Sequence, residues 1–213
     1  MKKIVVLISG NGSNLQAIID ACQAKQIQGE IVSVISNKAD AYGLQRAKKA
    51  LIPTALFSRK NYTDNAEMDR AIAEHIESVK ADLIVLAGYM KILTPEFTQR
   101  FAGKILNIHP SLLPKYKGLN TYQQALDAGD TEHGTSVHFV NEILDGGAVI
   151  LQAKVPIFPE DEITDIEQRV KEQELRIYPL VVKWFIEGRL QEIDGKAVLD
   201  GQVLPPTGYA NED

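Results

Sequence analysis

The chain has 213 residues, 45% of them hydrophobic, and 23 Lys and Arg against 28 Asp and Glu give a net charge of −5 at pH 7. That supplies enough apolar surface for one large domain over 1–213, divided as 1–103 and 104–213, and the lack of a basic run argues against nucleic acid as a partner. The longest apolar runs, such as Ile4–Ile8 and Leu83–Ala87, fall far short of the roughly 20 residues that cross a bilayer, and no charged-then-apolar leader precedes them, so a soluble, cytoplasmic protein with no membrane partner is expected.

Strand-like and helix-like segments alternate from the first residues. This is the pattern of an α/β fold, a three-layer, Rossmann-like, mostly parallel sheet with helices on both faces and a mixed portion toward the C-terminus. Residues 4–8 read as the first strand and 13–23 as the first helix, whose apolar face holds Leu15, Ile18, Ile19 and Cys22, the single cysteine, as a packed thiol. A strand over 31–35, a helix over 42–50 and a weaker strand over 53–56 follow. Pro53 marks that last strand as an edge or a strand start, because proline cannot donate to a ladder. Met68, Ile72, Ile76 and Val79 recur at helical spacing and predict a helix over 66–79, then come a strand over 83–86, a short helix from Pro95 and a strand over 104–109. Residues 134–140 alternate as a half-buried strand, and 148–151 form the next one. A long helix over 164–187 carries Ile166, Val170, Ile177, Val181 and Phe185, and its interior Pro179 is expected to kink it. Residues 190–193 and 197–199 around Asp194-Gly195 suit a hairpin.

Polar residues gather in the loops between these elements. Ser9-Gly10-Asn11-Gly12-Ser13-Asn14 leaves a strand and opens a helix, so unpaired N–H groups and the positive end of the helix dipole converge on a spot suited to a phosphate, though such a turn also serves as a plain helix cap. Its spacing matches neither the dinucleotide nor the nucleotide glycine pattern. Asn107 and His109 alternate to one side of their strand before Pro110 stops it, at the edge where open α/β sheets bind ligands. Asp145 lies in a loop backed by Gly146 and Gly147, where a carboxylate either reaches an imidazole or makes an ordinary Asp-Gly turn. His138 and Ser136, on the strand before it, are supporting candidates, whereas His75 and His133 read as surface or capping residues. The histidines share no ligand spacing, so no metal site is expected.

The run Asn107-Ile108-His109-Pro110-Ser111-Leu112-Leu113-Pro114, together with Leu144-Asp145-Gly146-Gly147, resembles the signatures of the folate-dependent formyltransferases, and the likeness extends over nearly the whole chain. Residues 9–14, Gln173-Glu174 and the chain length are similar to the purine-pathway branch of that family, and 213 residues leave no space for the nucleic-acid-binding or regulatory domains of other branches. The resemblance implies 10-formyltetrahydrofolate as formyl donor, glycinamide ribonucleotide as acceptor, no metal, and a monomer or weak homodimer. It implies catalytic roles for three residues. Asn107 and a protonated His109 would donate to the formyl oxygen, while Asp145 favours the imidazolium and positions a proton-carrying water. Gly12, Ser13 and Asn14 would hold the acceptor's phosphate, with Lys171, Glu172, Gln173 and Glu174 as the other acceptor segment. Asn65, Met90, Lys91, Ile92, Leu93, Asn107, Asn141, Glu142, Ile143, Leu144 and Asp145 would hold the folate. Lys91 and Asn65 stand where relatives often have arginines near the folate's glutamate tail, and lysine offers a point charge in place of a bidentate fork. Two other readings stay open: hydrolysis of the formyl folate by the same three residues, and a non-catalytic protein that binds folate and phosphate.

Overall fold

The computed structural model describes residues 1–209, and it divides into two compact units that meet in sequence at Asn107 and Ile108. The first unit holds β1 (Lys2–Ile8), α1 (Ser13–Gln23), β2 (Gly29–Ser36), α2 (Gly43–Lys49), β3 (Thr54–Leu56), α3 (Asn65–Ser78), β4 (Leu83–Leu86), α4 (Pro95–Arg100) and the start of β5 (Ile105–His109). β1 pairs in parallel with β2 on one side and β4 on the other, and β3 and β5 extend the two sides. Ile4 to Ile8 are wholly buried, as continuous apolar strands are when both faces of a parallel sheet are covered.

The order of these strands fixes where a ligand can sit. Chain growth runs outward from β1 through β2 to β3, then returns to β4 on the other side, so right-handed crossovers put α1 and α2 on one face and α3 and α4 on the opposite one. The pairwise packing agrees, α1 on α2 and α3 on α4. The reversal between β1 and β4 is a topological switch point, and the crevice beyond the carboxyl ends of those two strands is the binding position of such sheets. β3 is the edge strand that Pro53 suggested, with the Pro53 carbonyl accepting from Val34 N at 2.9 Å.

The second unit holds α5 (Thr121–Asp127), β6 (Glu132–Phe139), β7 (Val149–Pro156), α6 (Ile163–Ile186), β8 (Leu190–Ile193), β9 (Lys196–Leu199) and β10 (Gln202–Val203). β6 and β7 are antiparallel, which gives the mixed portion of a seven-stranded sheet ordered β3-β2-β1-β4-β5-β6-β7, and β10-β9-β8 form a small sheet of their own. α6 is a single 24-residue helix that includes Pro179 and buries Ile166, Val170, Ile177, Val181 and Trp184 on its apolar face. A capping box starts it. The Glu162 side chain accepts from Asp165 N while the Asp165 carboxylate accepts from Glu162 N at 2.9 Å, so two helix-end donors are satisfied reciprocally. Among the described residues no helix is long and apolar enough to cross a membrane.

Candidate active site

In the first unit, the loop between β1 and α1 is packed backbone to backbone. Gly12, the N-cap of α1, has φ +79°, and a Cβ there would lie 2.8 Å from Gly43 Cα at the start of α2. Only glycine meets both conditions. Gly43 N donates to the Gly10 carbonyl at 3.0 Å, and Arg46 of α2 donates through Nε to the Asn11 carbonyl at 2.8 Å and through Nη2 to Asn11 Oδ1 at 2.6 Å. The first helical hydrogen bond is Gln16 N to the Gly12 carbonyl, so the N–H groups of Ser13 and Asn14 have no partner inside the helix. Asn14 Oδ1 is buried without a hydrogen bond, a polar atom that a ligand or a water would satisfy.

Ser9 ties three strand ends together. Its hydroxyl donates to Asn37 Oδ1 after β2 at 2.6 Å and accepts from Met90 N after β4 at 2.7 Å. Met90 and Ile92 of that second loop are 64% and 69% exposed, apolar side chains facing outward beside the switch point. Lys91 between them turns inward to an ion pair with the buried Asp69. Asn65, at the first turn of α3, accepts from Arg59 Nε at 3.0 Å. Asn65 Oδ1 and the Lys91 ammonium thus each have a partner within the chain.

In the second unit the titratable groups converge. β5 carries Asn107 and His109 two positions apart, and Asn107 lies in register with Leu86 at the end of β4. His109 Nδ1 stands 3.6 Å from Asp145 Oδ2, and His138 Nε2 stands 3.8 Å from Asp145 Oδ1, with all three side chains at least nine-tenths buried. The other nitrogen of each ring meets a backbone carbonyl at 2.8 Å, that of Tyr116 for His109 Nε2 and that of Phe139 for His138 Nδ1. A carbonyl only accepts, so those nitrogens carry hydrogen and Nδ1 of His109 is the atom turned to the carboxylate. Burial holds the His138 imidazole below its ordinary pKa, against the smaller opposing effects of the Phe139 carbonyl and Asp145. His138 is thus a neutral ring beside the carboxylate.

The loop that presents Asp145 depends on close backbone approach. Asp145 has φ +50°, a Cβ on Gly147 would collide with the Phe139 carbonyl, and one on Gly146 would collide with Ile143. Asp145 Oδ2 also accepts from Gly118 N at 2.9 Å, which ties it to the loop that follows β5. That loop is braced at several points. Tyr116, at φ +52°, donates its hydroxyl to Asp130 Oδ2 at 2.5 Å, and Ser136 donates to the Ser111 carbonyl at 2.6 Å. Ser136 thus supports the loop and has no bond to His109 or Asp145 in which it could act on them directly. Ile143 and Leu144 are 57% and 51% exposed. On α6, Glu174 accepts from Thr135 Oγ1 at 3.1 Å, and the same hydroxyl lies 3.0 Å from the His109 carbonyl, so Glu174 reaches the end of β5. Lys171 pairs with Glu167 at 3.0 Å on the exposed face, and Gln173 accepts from Arg176 Nη2 at 2.8 Å.

One assignment made from sequence changes. His133 is not a surface residue: it is 1% exposed, its ring packed against Tyr116 and Tyr122, because position 133 faces inward on β6. Asp69 and Tyr116 carried no sequence signal as functional residues. Asp69 falls on the buried face of α3 beside Met68 and Ile72, so a charged residue in an apolar helical stripe was the available clue.

The buried contact of His109 with Asp145 puts two ionisable side chains at the end of a strand, where open α/β sheets bind ligands. The sequence profile of the family described as formyl transferase matches residues 2–182, and the chain belongs to that family. It is 70% identical over 212 residues, the whole of both chains, to a phosphoribosylglycinamide formyltransferase of Haemophilus influenzae, and 57% identical, over 99% of both, to that of Escherichia coli. A phosphoribosylglycinamide formyltransferase of Coxiella burnetii, solved with CHES, superposes with a TM-score of 0.93 at 48% identity over 98% of each chain.

Proposed function

We propose that this protein transfers the formyl group of 10-formyltetrahydrofolate to the amine of glycinamide ribonucleotide, as a cytoplasmic enzyme of purine biosynthesis. The observation that carries the reading is the buried contact of His109 with Asp145 at the end of the strand that bears Asn107, in a chain so similar to named phosphoribosylglycinamide formyltransferases. The folate supplies an activated formyl group. In the first unit the exposed apolar side chains Met90 and Ile92, next to Leu93 in the chain, suit contact with its flat heterocycle, and in the second unit so do Ile143 and Leu144, which follow Asn141 and Glu142.

In this reading the acceptor's amine forms a bond to the formyl carbon, the bond from that carbon to the folate nitrogen breaks, and a proton passes from the amine to the departing nitrogen. Negative charge develops on the formyl oxygen. Asn107 donates its side-chain amide there and His109 donates from Nδ1, the nitrogen not held by Tyr116, while Asp145 balances the imidazolium and holds the water that relays the proton. The N–H groups of Gly12, Ser13 and Asn14, at the positive end of the α1 dipole, take the acceptor's phosphate. Lys171, Glu172, Gln173 and Glu174 line the remainder of the acceptor, and Glu174, the member that reaches the end of β5, accepts from sugar hydroxyls. Asn65 lies toward the folate tail.

Incubation with 10-formyltetrahydrofolate, with and without glycinamide ribonucleotide, tests the proposal. Tetrahydrofolate should appear only when the acceptor is present. Equal release in its absence replaces the transferase with a hydrolase, and no release in either case leaves a binding protein.

A further inference from the structure

A charged residue on a buried helix face demands a reason. Moving a carboxylate out of water costs several kcal/mol unless it is paired and hydrogen-bonded. Asp69 of α3 is 2% exposed, flanked on its helix by Met68, Ile72 and Ala73, and both of its oxygens serve one loop: Oδ1 takes the Lys91 ammonium and Oδ2 accepts from Thr94 N at 2.8 Å. Thr94 is in turn the N-cap of α4, its hydroxyl accepting from Phe97 N at 3.3 Å. The loop is therefore fixed at its far end by Asp69 and at its near end by Ser9, which holds Met90 N.

The pattern within the loop is the informative part. Met90 and Ile92 point out at 64% and 69% exposure, while the Lys91 side chain between them is only 10% exposed. Lys91 is thus the pin, and its neighbours are what the pin presents. The Tyr89 hydroxyl, buried without a partner, adds a second polar group in the same space, and burial together with the Asp69 charge pushes its phenol well above the ordinary range.

We propose that Asp69 is a positioning residue for the formyl donor: through Lys91 and Thr94 it sets the shape of the Tyr89–Leu93 loop, so that Lys91 holds the loop and is not a ligand of the folate's glutamate tail. This rests on the reading of that loop as the folate site. Lysine serves here as an inward point charge, and arginine at the same position keeps the charge and the reach.

Steady-state kinetics of Lys91→Met, Lys91→Arg and Asp69→Asn decide it. Lys91→Met and Asp69→Asn should raise the KM for 10-formyltetrahydrofolate by about tenfold or more, with kcat within about threefold and the acceptor KM unchanged, since only shared ground-state and transition-state binding is lost. Lys91→Arg should stay within about threefold of the parent in every constant, because the ion pair is kept. The inhibition constant of tetrahydropteroate, which has no glutamate, should rise by the same factor as the folate KM in Lys91→Met. A loss confined to glutamate-bearing ligands returns Lys91 to the tail and overturns the proposal, as does an unchanged folate KM in Lys91→Met or an equal fall in kcat and rise in both KM values. If Asp69→Asn does not fold, the Lys91 pair still decides. A parent protein with no acceptor-dependent deformylation removes the folate reading and this proposal with it, whereas an active parent with an indifferent Lys91→Met removes the role of Asp69 alone.

Discussion

The two units use buried polarity for different ends. In the first, the polar side chains sealed near the strand ends hold backbone: Ser9 joins three strand ends and Asp69 pins a loop, while the partly exposed Arg46 clamps the Asn11 turn. In the second, the sealed groups face one another: His109 and His138 both lie against the Asp145 carboxylate, with the surrounding carbonyls fixing which nitrogen of each ring carries hydrogen. A loop that must fit a ligand needs a fixed shape, whereas one that moves protons needs groups whose two protonation states both exist in place. Substitutions in the loops of the first unit should therefore act on KM, and those at the end of β5 and around Asp145 on kcat.

The largest expected effect tests the second half of that contrast. Asp145→Asn keeps an oxygen for Gly118 N, so the loop and fold persist, yet kcat should fall by about 10²–10⁴ with both KM values within a few-fold. Asn107→Ala should cost about 10²–10³ in kcat, the usual loss for one oriented donor at a developing oxyanion. Stopped-time assays of tetrahydrofolate release measure both. A rise in KM at unchanged kcat in either variant would erase the distinction between the units.

A smaller effect belongs to the first unit. Gly12→Ala must place a Cβ 2.8 Å from Gly43 Cα at φ +79°, so the turn opens and the acceptor KM should rise about tenfold while the folate KM stays put. Lys171→Ala should raise the acceptor KM only about two- to fivefold, since its ammonium is exposed and already shared with Glu167. Isothermal titration with the ribonucleotide alone gives the same ranking without turnover. If Lys171→Ala proves the more damaging of the two, the acceptor's phosphate lies on α6 and the Gly12 turn is a helix cap.

The strands of the large sheet and the longer helices were legible because each follows from a local rule, whereas the roles of His109 and Asp145 came from the likeness of their loops to a family signature, since alone each reads as an ordinary loop residue. Period-two and period-3.6 patterns mark covered faces, and polar residues after an apolar run mark strand ends. What was not legible was tertiary. α5 escapes because Thr121–Asp127 is seven residues with only Thr121 and Ala125 buried, too short to display a period. β7 runs on to Pro156 past the apolar stretch, because Gln152, Lys154 and Pro156 alternate with Ala153 and Val155 as a half-exposed strand. Asp69 is silent for a related reason. A charge next to an apolar stripe reads as solvated until the loop that it holds is seen. The partner of Lys91 is likewise tertiary, and only the inward turn of its side chain shows it.

The smallest predicted effect is on stability, and it separates the units by pH. Burial holds His133 and His138 of the second unit below their ordinary pKa, and His75 of the first, half-exposed and bonded to Ser33 Oγ at 2.9 Å, is shifted the same way. A ring whose folded pKa lies below its unfolded value of about 6.5 binds fewer protons in the folded state, so stability should be flat above that pH and fall as pH drops through it. The loss should be steeper for the second unit, where the rings are sealed. Thermal melts from pH 8 to pH 5 should show Tm constant at first and then declining by a few degrees in the parent protein. His138→Gln keeps a donor for the Phe139 carbonyl but cannot ionise, and its Tm should decline less over the same interval. Parallel declines in the two proteins would mean that His138 tolerates its charge when folded, with Asp145 as counter-ion, and the neutral ring assigned to it would be wrong.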